Sequence, residues 1–465
     1  MSVTAVKQSK RAFPLYAGVD CMVSQSRGGA SAASMILAVL ALATVFFLAE
    51  QSLHPVHESP SMTQVSQGPS LSRQIGIVMA GCLGSLMLVA PRGIRLGLGS
   101  VEAKLIVAFC VLCVLSVFWS DDLVFTLRRL ASAVLCFLCV LGICRRFRPA
   151  ELCFLTLLVC LAFLFLSILV EVSGNGFRMT SARYRFGGAV HPNMQGAYCS
   201  LICLASICLQ RSSGRKRWLY RAVFCIGLVF LVLTGSRTAC YAFFGAGGAL
   251  WWISSTPRVR TLTITAVPVG LMLLIVVYEI VVGTSADGFL GFIAMGRDVN
   301  SMSTMTSRTP VWNELMRAIS EQPLFGYGYQ SYWSGDRSLE MTGRAGWGAE
   351  SAHNAYLETI LSIGLVGGAL QVFAVLAGAL RSRQLYLRTA NAGYGFIFAV
   401  LMFGSIHSMA ESTFSKPLFP CIVFVTGLAM IAFQHHDPDQ SDAFNGRPLK
   451  PSEKSEAGEQ SSAFC

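Results

Sequence analysis

Residues 151–171 read ELCFLTLLVCLAFLFLSILVE, an apolar run without a charge between its two glutamates. A run of about 20 such residues matches the ~30 Å hydrocarbon layer of a bilayer. Similar runs recur along the chain. We place spans near 34–49, 75–90, 103–119, 127–143, 151–171, 192–209, 219–234, 238–254, 261–283, 354–380, 393–412 and 417–433. The composition of all 465 residues agrees: 54% are hydrophobic, 13% are charged, and the mean hydropathy is +0.58. Such a chain cannot cover its own surface in water, so disorder and a water-soluble fold are both excluded. The expected fold is all-α, a polytopic integral membrane protein of about 12 transmembrane helices. Many spans are rich in Cys, Gly and Ala, which suits close helix packing in lipid.

The net charge of +12 at pH 7 belongs to topology. With the N-terminus inside, most basic residues fall in short inner segments. Among them are Arg92 and Arg95, then Arg145, Arg146 and Arg148, then Arg211, Arg215, Lys216 and Arg217. That is the positive-inside pattern, with both termini cytoplasmic and no call for nucleic acid. Residues 1–33 form a cytoplasmic segment and precede an uncleaved signal-anchor. Spans one to nine cover 34–283, a long outer loop covers 284–352, spans ten to twelve cover 353–433, and 434–465 form a polar, disordered cytoplasmic tail.

The sequence carries 16 cysteines, most of them within or beside the spans. Cys110/Cys113 and Cys136/Cys139 have CxxC spacing, but both pairs fall mid-span, where packing is the better reading. Neither a disulfide nor a zinc site is expected. Outside the polar tail, where Asp437-Pro438-Asp439 occurs, the chain has no Asp-x-Asp signature, and no metal or cofactor is expected.

Polar chemistry collects on the outer side in three places. Residues 178–193 read RMTSARYRFGGAVHPN, and a short turn at 234–238 reads TGSRT. The third is the long loop, which ends in SAHNAY at 351–356. Within that loop Thr309-Pro310 reads as a helix start, with Thr309 as N-cap. Trp312, Leu315, Met316 and Ile319 repeat at helical spacing as one apolar face that packs on the bundle mouth or the bilayer. Pro323 and Gly326-Tyr327-Gly328-Tyr329 end that helix.

Arg237, Arg308 and His353 thus converge on the outer face. An arginine in a tight turn at hydrocarbon is costly without an anionic partner. A planar guanidinium binds diphosphate oxygens bidentately. A histidine with a pKa near ~6.5 can accept a proton from a sugar hydroxyl. The combination reads as a site for a lipid-linked diphosphate donor and a hydroxyl acceptor.

Structural readings stand beside these. Arg237 could snorkel to headgroups, Arg308 could open a loop helix, and His353 could cap the tenth span. His191, before a proline at a helix start, reads as structural rather than catalytic. His407 and Glu411 at i and i+4 line the cavity or pair with each other. Trp251, Trp252 and Trp333 read as interface anchors, with Tyr327, Tyr329 and Trp333 also able to contact saccharide. The rival class is a transporter or lipid-linked oligosaccharide flippase. It would show internal repeats and midplane charges, and neither is visible. A non-catalytic assembly or sensor protein is a third class.

RFGGAVHPNMQGAY at 185–198, TGSRTA at 234–239, RTPVWNELMRAISEQPLFGYGYQSYW at 308–333 and SAHNAYLETILSIGLVGG at 351–368 occur in that order. Together they resemble the O-antigen ligase superfamily, which includes polymerases of O-antigen, capsule and exopolysaccharide. The resemblance implies a GT-C-like glycosyltransferase of the bacterial inner membrane, with short helices in a periplasmic loop. It would take glycan from undecaprenyl diphosphate at the periplasmic face and pass it to a glycan or lipid A-core acceptor. A flippase and a chain-length regulator are further partners in that picture.

By motif, the family's essential arginines fall on Arg237 and Arg308 and its histidine on His353. Arg183 and Arg185 match the arginines ahead of the HPN segment. His191, Asn193, Asn354 and Tyr356 complete the expected diphosphate and substrate contacts. Ser307 departs from the family's usual Gly, and Gly343-Arg344-Ala345-Gly346 is unusual loop sequence. The implied reaction is metal-independent displacement with inversion, with Glu350 or Glu358 as partner of His353. Polymerase is preferred to ligase, because nothing in the outer loop forms an obvious platform for lipid A core.

Overall fold

The computed structural model describes residues 32–50, 71–91, 93–174, 177, 184–212, 216–264, 266, 309–334, 337, 351–412 and 415–435. The ninth span expected at 261–283 lies almost wholly outside them, as do Arg183, Arg308, Glu350 and most of the loop 284–352.

Among the described residues the architecture is helical, with no strand beyond an isolated bridge between Leu96 and Gln434. The helices are α1 (Ala32–Glu50), α2 (Leu71–Val89), α3 (Val101–Leu115), α4 (Leu123–Arg146), α5 (Pro149–Ser173), α6 (Pro192–Ser212), α7 (Arg217–Leu233), α8 (Arg237–Ser254), α9 (Thr309–Glu321), α10 (Ala355–Thr389), α11 (Ala392–His407) and α12 (Phe419–Phe433). Five of them, α2, α3 with its 3-10 extension to Trp119, α4, α5 and α10, are long and apolar enough to cross a membrane. Shorter apolar helices are α1, α11 and α12. The expected spans at 192–209, 219–234 and 238–254 correspond to α6, α7 and α8. Helix α6 is more polar because it runs through the middle of the bundle, where Gln195, Ser200 and Ser206 are buried.

Helix ends follow local chemistry. Asp122 caps α4 through the Phe125 N–H at 2.9 Å, and Pro149 opens α5 with Glu151 folded back onto the Arg148 N–H at 2.8 Å. Small residues set the crossings. A Cβ on Gly142 would lie 2.5 Å from the Gly84 carbonyl, so α2 and α4 touch backbone to backbone. Cys136 and Cys139 are buried on the same helix, where they serve as packing. An aromatic ladder ties α5, α6 and α12 together: Phe163 stacks on Tyr198 at 4.6 Å, and Tyr198 on Phe419 at 6.3 Å.

The loop helix α9 packs on this bundle. Val311, Leu315 and Ala318 are buried against Tyr327, Tyr332, Ala352 and Leu361, with Trp312 and Ile319 partly buried beside them. Met316, expected on that face, is 56% exposed, so the apolar stripe runs through Val311 and Ala318 instead. The helix begins at Thr309, followed by Pro310.

After α9, residues 323–331 enter a break in α10. Ile363 and Gly364 leave helical geometry there, Gly364 at φ 69° and ψ −174°. The groups freed by the break are bonded by the loop: Tyr327 N–H donates to the Leu361 carbonyl at 2.8 Å, and Leu365 N–H to the Pro323 carbonyl at 2.8 Å. Interrupted helices persist at membrane depth only when something supplies those bonds. The turn between α3 and α4 clamps the other side, with Ser116 Oγ accepting from Tyr329 N–H at 2.9 Å and Ser331 Oγ from Asp122 N–H at 3.0 Å.

That seam makes a stability prediction. Gly364 occupies a region open essentially to glycine alone, at a cost of about 1–3 kcal/mol for other residues. A Cβ there would also strike the Leu324 carbonyl. Gly364→Ala is expected to lower the detergent melting midpoint by several degrees. Gly248→Ala, whose Cβ meets nothing within 4 Å, is expected to leave it unchanged or raise it. Equal midpoints for the two variants would show that the seam carries no strain constraint.

Candidate functional site

Four connections converge at one end of the bundle: the segment before α6, the turn between α7 and α8, the approach to α10 and the turn after α11. Polar side chains link them into one chain of hydrogen bonds. Arg185 donates from Nε to the Thr234 carbonyl at 3.0 Å and from a terminal nitrogen to Asn193 Oδ1 at 2.5 Å. Asn193 Nδ2 donates to Glu411 Oε1 at 2.8 Å. The other carboxylate oxygen, Glu411 Oε2, lies 3.4 Å from His353 Nδ1. Glu411 is nearly buried, its side chain 8% exposed, whereas that of His353 is 31% exposed. A buried carboxylate needs such partners to remain charged.

Local sequence explains each placement. Gly235 turns the chain between α7 and α8 at φ 56°, and the Arg185 side chain lies across it, so a Cβ would stand 3.3 Å from Arg185 Nε. Ser236 then caps α8 through the Ala239 N–H at 3.5 Å. Arg237 follows as the first helical residue, half-buried. Among the described residues its guanidinium has no hydrogen bond or ion pair. Gly196 on the first turn of α6 packs on Ser236 and Ala239, where a Cβ would meet both side chains at 2.9 Å. That contact holds the start of α8 beside the start of α6.

His353 has φ 48°, a left-handed conformation for a residue with a Cβ. It does not cap α10. Asn354 does, its Oδ1 accepting from Tyr356 N–H at 3.0 Å and Leu357 N–H at 3.1 Å, while its Nδ2 donates to the Met409 carbonyl at 3.1 Å. Tyr356 gives its hydroxyl to the Ser405 carbonyl at 3.0 Å. Asn354 and Tyr356 therefore build the ledge on which His353 stands, and their polar groups are committed to it. Strained conformations of this kind gather at functional sites.

His191 keeps its structural role: its Nδ1 accepts from Asn193 N–H at 3.2 Å. It also stands among the site's charges. Desolvation by the surrounding chain, then the Arg185 guanidinium, hold its imidazole below the ordinary value, with Glu411 opposing and His353 and Lys416 adding to the depression. A neutral ring is the form that can accept the Asn193 N–H.

Of the two expected partners of His353, Glu350 lies outside the described residues and Glu358 is bonded elsewhere. Glu358 is buried and already accepts from Ala352 N–H at 2.5 Å, Trp333 Nε1–H at 2.8 Å and Ser412 Oγ–H at 3.4 Å. The carboxylate within reach of His353 Nδ1 is that of Glu411, which also accepts from Asn193 Nδ2. Tyr327 is buried, and its hydroxyl donates to the Ala318 carbonyl at 2.9 Å. Trp333 is bound to Glu358. The polar atoms of both aromatics thus support the loop. Lys416, which sequence reasoning passed over, lies within electrostatic reach of His191 and Glu358. A lone cation in the short turn between α11 and α12 was the available signal.

The comparisons bear on this geometry. Residues 222–372 match the O-antigen ligase family. The matched stretch runs from α7 into α10, so it holds Arg237 and His353 but neither the Arg185–Asn193 segment nor Glu411. The exopolysaccharide production protein ExoQ of Rhizobium meliloti (strain 1021) is 35% identical over 82 residues, 16% of this chain and 17% of that relative. The chain therefore aligns with under a fifth of that relative's length. The O-antigen ligase match and the polar chain thus meet at His353, one member inside the matched residues and its carboxylate outside them.

Proposed function

We propose that the chain is a membrane glycosyltransferase that joins or extends glycan drawn from a polyprenyl-diphosphate donor, most simply undecaprenyl diphosphate, at the periplasmic face of the bacterial inner membrane. The observation that carries this reading is the hydrogen-bonded chain Arg185–Asn193–Glu411–His353, with the guanidinium of Arg237, unbonded among the described residues, on the turn that Arg185 touches. The first and last residues of that group supply cations for a diphosphate, and the histidine–carboxylate pair supplies a base for a hydroxyl. The O-antigen ligase match over 222–372 supports the same class.

In this reading the acceptor hydroxyl gives its proton to His353 Nε2 as its oxygen attacks the anomeric carbon. The bond from that carbon to the diphosphate breaks, and the diphosphate leaves with the electron pair. Glu411, at Nδ1, holds the ring's orientation and stabilises the imidazolium as it forms. The 3.4 Å separation is long for a working bond, and such contacts tighten on substrate binding. Arg237 and Arg185, with Arg308 and Arg183 from the segments outside the described residues, oppose the developing charge. Attack opposite the leaving group inverts the centre. None of these steps requires a metal.

Polymerase is the preferred activity. The likeness to an exopolysaccharide production protein supports it, whereas the description of the matched family favours ligase. The test is a deletion strain with and without the restored gene, read for lipid-linked intermediates as well as finished polymer. Single lipid-linked repeat units on the periplasmic side in the deletion are the expected result. Long lipid-linked chains would make the protein a ligase. Repeat units held on the cytoplasmic side would make it a flippase and end the transferase reading.

A further inference from the structure

Glu171 sits near the end of α5, fully buried at 0% exposure, on a helix whose middle is wholly apolar. An ionisable side chain at that depth is rare and needs partners. Its Oε1 accepts from two successive backbone groups, Gly187 N–H at 3.3 Å and Gly188 N–H at 3.1 Å. Tyr184 lies within reach of the same carboxylate, and burial followed by that charge raises its hydroxyl's pKa.

These contacts surround the segment that carries Arg185. Gly188 has φ 63°, and a Cβ on it would lie 2.5 Å from Ser167 Cβ, so the turn is pressed against α5 one helical turn before Glu171. Ser167 in turn donates to Gln195 Oε1 at 3.0 Å, which ties α5 to the first turns of α6. On the opposite side Phe186 N–H donates to the Leu233 carbonyl at 2.8 Å. The segment is thus held between α5 and the end of α7, with Arg185 projecting between them toward Asn193. A glycine pair standing in water could leave its N–H groups to solvent. Here an acceptor buried in a span fixes where the turn lies.

We propose that Glu171 is a positioning residue for the donor site: by binding the Gly187–Gly188 turn it sets the aim of Arg185. The proposal rests on the diphosphate reading given above. Charge-assisted bonds from two adjacent N–H groups to one carboxylate oxygen hold a turn more firmly than neutral ones. The arginine then meets its ligand without first having to be ordered.

The experiment uses membranes from the deletion strain carrying wild type, Glu171→Ala, Glu171→Gln, Arg185→Ala or the double variant Glu171→Ala/Arg185→Ala at matched amounts. Rates of glycan joining are followed against the concentration of lipid-linked glycan extracted from the deletion strain. Glu171→Ala is expected to raise the donor KM about tenfold and to lower kcat no further than Arg185→Ala does. Glu171→Gln, which keeps a carbonyl acceptor but not the charge, should fall between wild type and Glu171→Ala. The double variant should be no worse than Arg185→Ala, because both act on one group.

Additive losses, or a fall in kcat at unchanged KM, would overturn the positioning role. So would a wild-type KM in Glu171→Ala beside a raised KM in Arg185→Ala. If Arg185→Ala itself has a wild-type KM, the diphosphate reading falls instead. Should Glu171→Ala fail to accumulate in the membrane, Glu171→Asp keeps the charge and withdraws the acceptor by one methylene. The same KM rise is expected of it, and a wild-type KM would count against the role.

Discussion

Arg237→Ala is expected to lower glycan joining by about 10²–10³-fold, the loss typical of removing one donor from a site that stabilises a departing anion. Arg237 is the first residue of α8, delivered by a glycine turn and a serine cap, half-buried and, among the described residues, without a hydrogen bond or ion pair. A guanidinium held in that way has given up part of its hydration, and no anion among the described residues replaces it. A diphosphate would supply one. Arg237→Lys should recover only a fraction of the rate, because an ammonium cannot match two phosphate oxygens with a planar fork. The measurement is the rate in membrane vesicles at matched protein and saturating donor. Activity within threefold of wild type would mean that Arg237 only snorkels to headgroups, and the donor site would have to be sought around Arg185 and Lys416.

The second large effect is at His353. Loss of a general base costs about 10²–10⁴-fold, so His353→Ala should be nearly inactive while still inserted and folded. The backbone adds an unusual companion result. His353 holds φ 48°, which costs a residue with a Cβ about 1–2 kcal/mol. His353→Gly relieves that strain and is expected to melt higher than wild type in detergent while remaining inactive. Stability gained as activity is lost identifies a residue kept for chemistry. If His353→Gly melts lower instead, the imidazole is a structural element of the ledge built by Asn354 and Tyr356. Glu411→Gln should be milder than His353→Ala, since the amide still orients the ring but no longer stabilises its charge.

How much of this could be read before the structure differs from residue to residue. The helices follow from apolar runs and from cap chemistry such as Asp122, Pro149 and Asn354, all local properties. Arg237 and His353 were legible because a cation in a five-residue turn and a histidine at a loop end stand out against apolar neighbours. The face of α9 was read nearly correctly, and Met316 failed because helical spacing alone does not say where the stripe is centred. Glu350 and Glu358 were the natural guesses for the partner of His353, three residues before it and five after, and Glu350 lies outside the described residues. Glu358 is instead turned inward to Ala352, Trp333 and Ser412.

By itself, then, the sequence determined that this chain is a set of apolar helices with a few arginines and histidines gathered at their ends. Hydrophobic length and turn chemistry are written in neighbouring residues. Only the tertiary structure decided that Glu411, brought in by the turn after α11, pairs with His353. It also decided that a loop closes the break at Gly364, and that Glu171 holds the turn before α6. Each of those depends on which helices cross and at what height, and packing between distant segments sets that.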